Sequence, residues 1–339
     1  MNRLTSHPVS RCIVLCLSLT ALRWAEASVV NVSAAFPAQS KVESTNVSRV
    51  TSEPEGSPDA LLDQAKSFYR HGKYPEAQQL TLTFLNLHPD SAQAMYLLAY
   101  IDEREKNPKE SLQWFTRAAA VDTPTAEDLR TVALDYALLN DYSEAVHWLS
   151  RAVKFDPRNA EAWYDLGRTY MMQDRFAAAE KALKTSLELR PRSVRAENNL
   201  GVTLEAENRE QEAADAYRTA IQWQSTSTTR SEQPLINLGT LLVAEQKASE
   251  AIPLLRLAVT IAARNTKAHE QLARALEQTG DSEGALSEMQ QAVQLEPNSA
   301  RLHYELGQMD RRAGKSAEAR KQLEMSGRLY GTSSTSPDR

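Results

Sequence analysis

The sequence predicts an all-α solenoid of about eight helix-turn-helix units stacked in a row. Three observations predict it. From Pro58 onward the chain repeats itself with a period of 34 residues. Within each unit, small and large apolar residues recur three and four places apart, which is the mark of helices with one apolar stripe. The composition also suits helices: 339 residues hold only 11 Gly and 14 Pro, while Ala, Leu and Glu are plentiful. Length alone would suggest about two domains of ~150 residues. A repeat array escapes that arithmetic because it has no single closed core.

The N-terminus differs from the rest. Arg3 and Arg11 precede an apolar run from Cys12 to Leu22, and Ala25, Glu26 and Ala27 follow as an A-x-A site. This is the order of a secretory signal, with cleavage expected after Ala27. The run is too short for a membrane span, which needs ~20 apolar residues, so membrane association is expected only through an uncleaved N-terminus. Both cysteines, Cys12 and Cys16, fall inside this segment, leaving a mature chain without thiols or disulfides. Its net charge would be −7 against −5 for the whole chain, with no basic stripe of the kind nucleic acid requires. Residues 28–57 are rich in Ser, Val, Thr, Glu and Pro without helical period, and read as a flexible spacer. Residues 331–339 read as a disordered tail.

The units between begin at residues 58, 92, 126, 160, 194, 232, 266 and 300. The clearest starts at Ala160. Trp163, Leu166, Gly167 and Tyr170 stand at its positions 4, 7, 8 and 11; Ala179, Leu183 and Ser186 stand at 20, 24 and 27; Pro191 stands at 32. Small residues at 8 and 20 let two helices approach closely. Large residues at 4, 7, 11 and 24 fill the space between them. The Pro ends the second helix. The unit at Val194 is four residues longer, with the surplus near Thr228 to Ser231. Asp102 and Asp310 depart from the pattern by placing carboxylates at position 11, and Pro253 sits inside a second helix.

The spacing W-x2-L-G-x2-Y, then A-x3-L, then P, resembles the tetratricopeptide repeat (TPR) over residues 58–330. The resemblance implies a right-handed superhelix whose first helices line a concave groove at positions 2, 5, 6, 9 and 12. In this chain those positions carry Tyr96, Tyr100, Tyr164 and Arg168 early, Asn198, Asn199 and Asn237 in the middle, and Arg274 and Arg301 late. Family members that hold extended peptides often use Asn at position 6, where Asn199 and Asn237 stand. An amide side chain both donates and accepts, so it can pair with any backbone. The resemblance does not extend to the full Lys-Asn-Asn-Lys-Arg carboxylate clamp of chaperone-binding members, because Lys66 takes a place where that clamp has Asn.

No catalytic, phosphate-binding or metalloprotease motif occurs, so no enzyme, cofactor or metal site is expected. His269 and His303 share position 4 in adjacent units. They read either as a weak metal or pH site or, more plainly, as occupants of the slot that Trp163 fills. Trp114 and Trp148 at position 23 read as a partner patch or as covers over the seam between second helices. The expectation is a non-catalytic, exported scaffold, periplasmic or secreted from a bacterium, that grips a protein or extended peptide in its groove. The alternative is an accessory subunit of an envelope glycan enzyme, with Tyr96, Tyr100 and Tyr164 stacking on saccharide.

Overall fold

The computed structural model describes residues 58–333, and the signal and spacer expected over residues 1–57 lie outside them. Among the described residues, sixteen α-helices follow one another. They pair as α1 and α2 (Pro58–Arg70, Tyr74–Leu87), α3 and α4 (Ala92–Arg104, Pro108–Ala119), α5 and α6 (Ala126–Leu138, Tyr142–Phe155), and α7 and α8 (Ala160–Met172, Phe176–Leu189). The second half pairs α9 and α10 (Val194–Ala206, Glu210–Gln224), α11 and α12 (Gln233–Ala244, Ala248–Ile261), α13 and α14 (Thr266–Gln278, Ser282–Leu295), and α15 and α16 (Ala300–Arg312, Ser316–Ser333). Each helix packs on its partner and on the next pair, so the array is an all-α solenoid.

Each pair closes on a left-handed residue at position 15. Gly72, Gly280 and Gly314 take it at no steric cost, whereas Lys106, Asn140, Asp174, Asn208 and Gln246 take it with φ between 56° and 65°. The following N–H then donates back to a carbonyl of the first helix's last turn, at 2.8 Å from Asn107 to Asp102 and at 3.0 Å from Asp281 to Leu276. This bond satisfies a carbonyl the helix leaves orphaned and fixes the turn between its two helices. At the other end, Ser91, Thr125, Asn159, Asn265 and Ser299 cap first helices by accepting a backbone N–H. Ser193 stands in the same place before α9 and makes no such bond.

The core runs between the helices of each pair. Leu149, Leu183, Tyr217, Leu255 and Met289, all at position 24, are fully buried, and each such side chain contributes about 1.5–3 kcal/mol by leaving water. Their room comes from position 8. A Cβ on Gly167 would lie 2.7 Å from Leu183 Cγ, and one on Gly239 would lie 2.6 Å from Leu255 Cγ.

The departures have local explanations. Asp102 and Asp310 are buried despite their charge. Desolvation raises both carboxyls above the ordinary range, Asp102 to about 6. Pro253 lies within α12, and the helix runs continuously through it from Ala248 to Ile261. α16 continues to Ser333, past the point where the tail was expected to begin. No proline stands between Tyr330 and Ser333, and a single Gly331 costs a helix only about 1 kcal/mol. The surplus residues of the fifth unit form a loop between α10 and α11. Gln224, buried at its base, clasps that loop: its amide donates to Ser231 O at 2.8 Å and accepts from Ser231 N at 2.8 Å.

Candidate functional site

The side chains expected to line the groove fall into three stretches of the first helices. In the early stretch, Tyr69, Tyr96, Leu97 and Tyr100 wall a cleft of 830 Å³ with Asp63, Lys66, Asp122 and Asp128 at its edges. Tyr96 is only 9% exposed, and its hydroxyl donates to Asp122 O at 3.1 Å. Tyr100 donates to Asp128 Oδ1 at 2.5 Å, and its ring lies 6.3 Å from that of Tyr69. Burial, with Asp128 nearby, pushes the Tyr96 hydroxyl up to about 12, and burial together with the Asp128 hydrogen bond raises Tyr100 as well. Both therefore stay neutral donors. Asp128 is itself fixed by the capping box it forms with Thr125 at the start of α5. Tyr100 thus ties its unit to the next and Tyr96 ties α3 to the loop that leads there, while both line the cleft.

In the middle stretch Tyr164 is 8% exposed, with the guanidinium groups of Arg195 and Arg168 4.5 and 5.7 Å from its ring centroid. Asn199 Nδ2 donates to Tyr164 Oη at 3.2 Å, and Asn237 Nδ2 donates to Asn198 Oδ1 at 2.9 Å. The amides form a ladder along neighbouring first helices, and Asn199 and Asn237 remain partly accessible. Arg130 and Asp165 extend it through a largely buried pair at 2.6 Å.

The late stretch differs most from its sequence reading. Arg274 and Arg301 converge on Glu270, which is 1% exposed, and on Glu305, at 2.8–3.0 Å. Burial alone would raise Glu270. Arg301, Lys267 and Arg274 outweigh it and hold the carboxyl below its usual range. The late arginines are therefore largely neutralised from within the fold. Glu270 stands at groove position 5, and spacing alone does not show that its buried carboxylate binds arginines of its own and the next unit.

Other candidates resolve into structure. Trp163 Nε1 donates to Pro157 O at 3.0 Å, six residues back. His269 Nε2 lies 3.1 Å from Ala263 O and His303 Nε2 lies 2.9 Å from Pro297 O, again six residues back. Their Nδ1 atoms meet Glu288 and Gln322. The histidines fill the tryptophan slot and keep its hydrogen bond. Trp114 and Trp148 are partly buried against the core, each beneath an arginine, Arg117 at 4.5 Å and Arg151 at 4.7 Å. Trp148 also meets Phe115 of α4 at 6.2 Å, across the seam between two second helices.

Comparison with known proteins agrees with this geometry. Models described as TPR repeat or tetratricopeptide repeat match residues 62–126, 133–174, 164–227 and 266–309, more than half of the chain together. No curated protein matches it in sequence. Among solved structures, a tetratricopeptide repeat protein from Parabacteroides merdae superposes with a TM-score of 0.57 at 15% identity, over 79% of this chain and 98% of that one. The Pseudomonas aeruginosa protein pilF gives 0.54 at 19% identity, over 63% and 95%. The APC/C hetero-tetramer Cut9–Hcn1 gives 0.56 at 16% identity, over 80% of this chain and 53% of that one. Such identities speak for the fold alone. With small residues meeting large ones across pair after pair of helices, the chain belongs to the tetratricopeptide repeat family.

Proposed function

We propose that this protein is a non-catalytic scaffold that holds an extended segment of a partner protein along its first helices, and that it works outside the cytoplasm of a bacterium. The amide ladder carries the first part of this reading. Asn198, Asn199 and Asn237 sit on adjacent units with their side chains already oriented by Tyr164 and by one another. Preorganised amides can meet a partner's backbone without ordering themselves first. The cleft walled by Tyr69 and Tyr100 adds apolar contact at one end. The saccharide reading lacks that support, because Tyr96 and Tyr164 are largely buried and offer little ring face for stacking. Export rests on the order of residues 1–27.

One preparation tests both parts. The full chain, tagged at its C-terminus, is isolated from its source cells with whatever accompanies it, and mass spectrometry reads its N-terminus and its companions. The expected result is a chain beginning at Ser28 and a partner that is lost when Asn199→Ala and Asn237→Ala are combined. Recovery of an intact N-terminus in the soluble cytoplasm would overturn export. A partner held equally by the double variant would move binding away from the ladder.

A further inference from the structure

We propose that the pocket made by the four-residue insertion of the fifth unit is a subsite for carboxylate side chains of an acidic, extended partner segment. The inference deepens the scaffold reading and rests on it. The pocket measures 580 Å³. Its lining includes Arg192, Arg195, Asn198, Asn199, Trp223 and Ser227, and no Asp or Glu. The early cleft, in contrast, has Asp63, Asp122 and Asp128 among its lining.

Several independent features give this pocket a positive character. Arg192 is exposed, takes the left-handed conformation at φ 64°, and stands at the mouth just before α9. Arg195, also exposed, shares Glu161 with Arg190, so a single carboxylate answers two guanidinium groups there. Two helices begin at the pocket, α9 at Val194 and α11 at Gln233. The N-terminal N–H groups of α9 lack the side-chain cap that five other first helices carry. Orphan N–H groups and the helix dipole both favour negative charge at such ends. The insertion supplies the opposite wall, held in place by the Gln224 clasp.

The location points to a peptide side chain as occupant. Asn198 and Asn199 line the pocket and also belong to the amide ladder. A strand held by the ladder would pass the mouth, and its acidic side chains would reach Arg192 and Arg195. Trp223, partly buried, would cover the aliphatic part of a glutamate.

The test uses three fluorescent, amidated peptides of equal length, in which Gly alternates with Glu, Gln or Lys. Binding to the full chain is followed by anisotropy. The Glu peptide is expected to bind at least about tenfold more tightly than the Gln peptide at low salt. This advantage should shrink as salt rises from about 50 to about 500 mM. Arg192→Gln with Arg195→Gln should abolish the advantage, and Arg192→Glu with Arg195→Glu should transfer it to the Lys peptide. Both arginines are exposed, so circular dichroism should be unchanged, and loss of the Arg195 contacts with Glu161 and Tyr164 should lower the melting temperature only slightly. Equal binding of all three peptides, or a Glu preference that survives charge reversal, would overturn the subsite and leave the groove standing. Binding of none at millimolar peptide would also overturn it, while the captured partner would still decide the scaffold reading.

Discussion

Gly201→Ala is expected to destabilise the protein by up to about 2 kcal/mol, although alanine is the better helix former. A Cβ there would lie 2.5 Å from Tyr217 Cε1 and 2.7 Å from its Cδ1. Tyr217 has nowhere to go: it is fully buried, and its hydroxyl donates to Glu205 at 2.8 Å. Overpacking of this kind costs about 1–3 kcal/mol, against which helix propensity returns about 1. Tyr217→Ala alone should cost more, about 3–5 kcal/mol, by leaving a cavity between α9 and α10. The pair must couple. Once Tyr217 is truncated, Gly201→Ala should turn neutral or stabilising by up to ~1 kcal/mol. Hydrogen exchange over α9 and α10, measured on all four chains, reads this locally, as suits an array whose units open separately. Additive losses would mean that the two side chains do not share the space assigned to them.

Asp135→Asn should stabilise the protein by about 4 kcal/mol at pH 8. Asp135 is fully buried, and one of its oxygens has no partner. Burial, with Glu103 and Asp102 close by, raises its carboxyl to about 7. Geometry gives the same answer. Ser111 Oγ lies 2.5 Å from Asp135 Oδ2 and 2.9 Å from Ala99 O. A hydroxyl has one proton, so both contacts are satisfied only if Ser111 donates to Ala99 and a protonated Asp135 donates to Ser111. The folded carboxyl thus ionises above its unfolded value of about 3.9. Its contribution to stability is fully present below about pH 4 and is lost as pH rises towards 7. An asparagine amide at 135 donates to Ser111 at every pH. The variant should therefore outlast the parent in urea at pH 8 and match it near pH 4. A constant difference across that range would mean that Asp135 does not titrate there.

Much of this fold is legible in residue spacing, because small residues at 8 and large ones at 24 act through contacts within one unit. Gly201 and Tyr217 belong to that pattern. The left-handed turn at position 15 is less visible, since Lys106 and Gln246 carry no signal for a positive φ. The site is legible only as a set of positions. Spacing places Tyr96, Asn199 and Arg301 on first helices. It cannot show that Tyr96 is buried, or that Glu270 and Glu305 neutralise Arg274 and Arg301, because those outcomes depend on the neighbouring unit. Asp135 is hidden for the same reason: position 10 faces an adjacent unit, and its partner Ser111 lies 24 residues earlier. The insertion near Thr228 was visible as a break in the period, and Arg192 and Arg195 acquire meaning only beside it.

The central claim is that the first helices, rather than the second, hold a partner. Photo-crosslinking tests it most directly. A photoreactive amino acid replaces Arg168, exposed on first helix α7, in one chain, and Lys181, exposed on second helix α8, in another. Irradiation with the co-purified partner should give an adduct from position 168 and none from 181. An adduct from 181 alone would contradict the account and place binding on the opposite face.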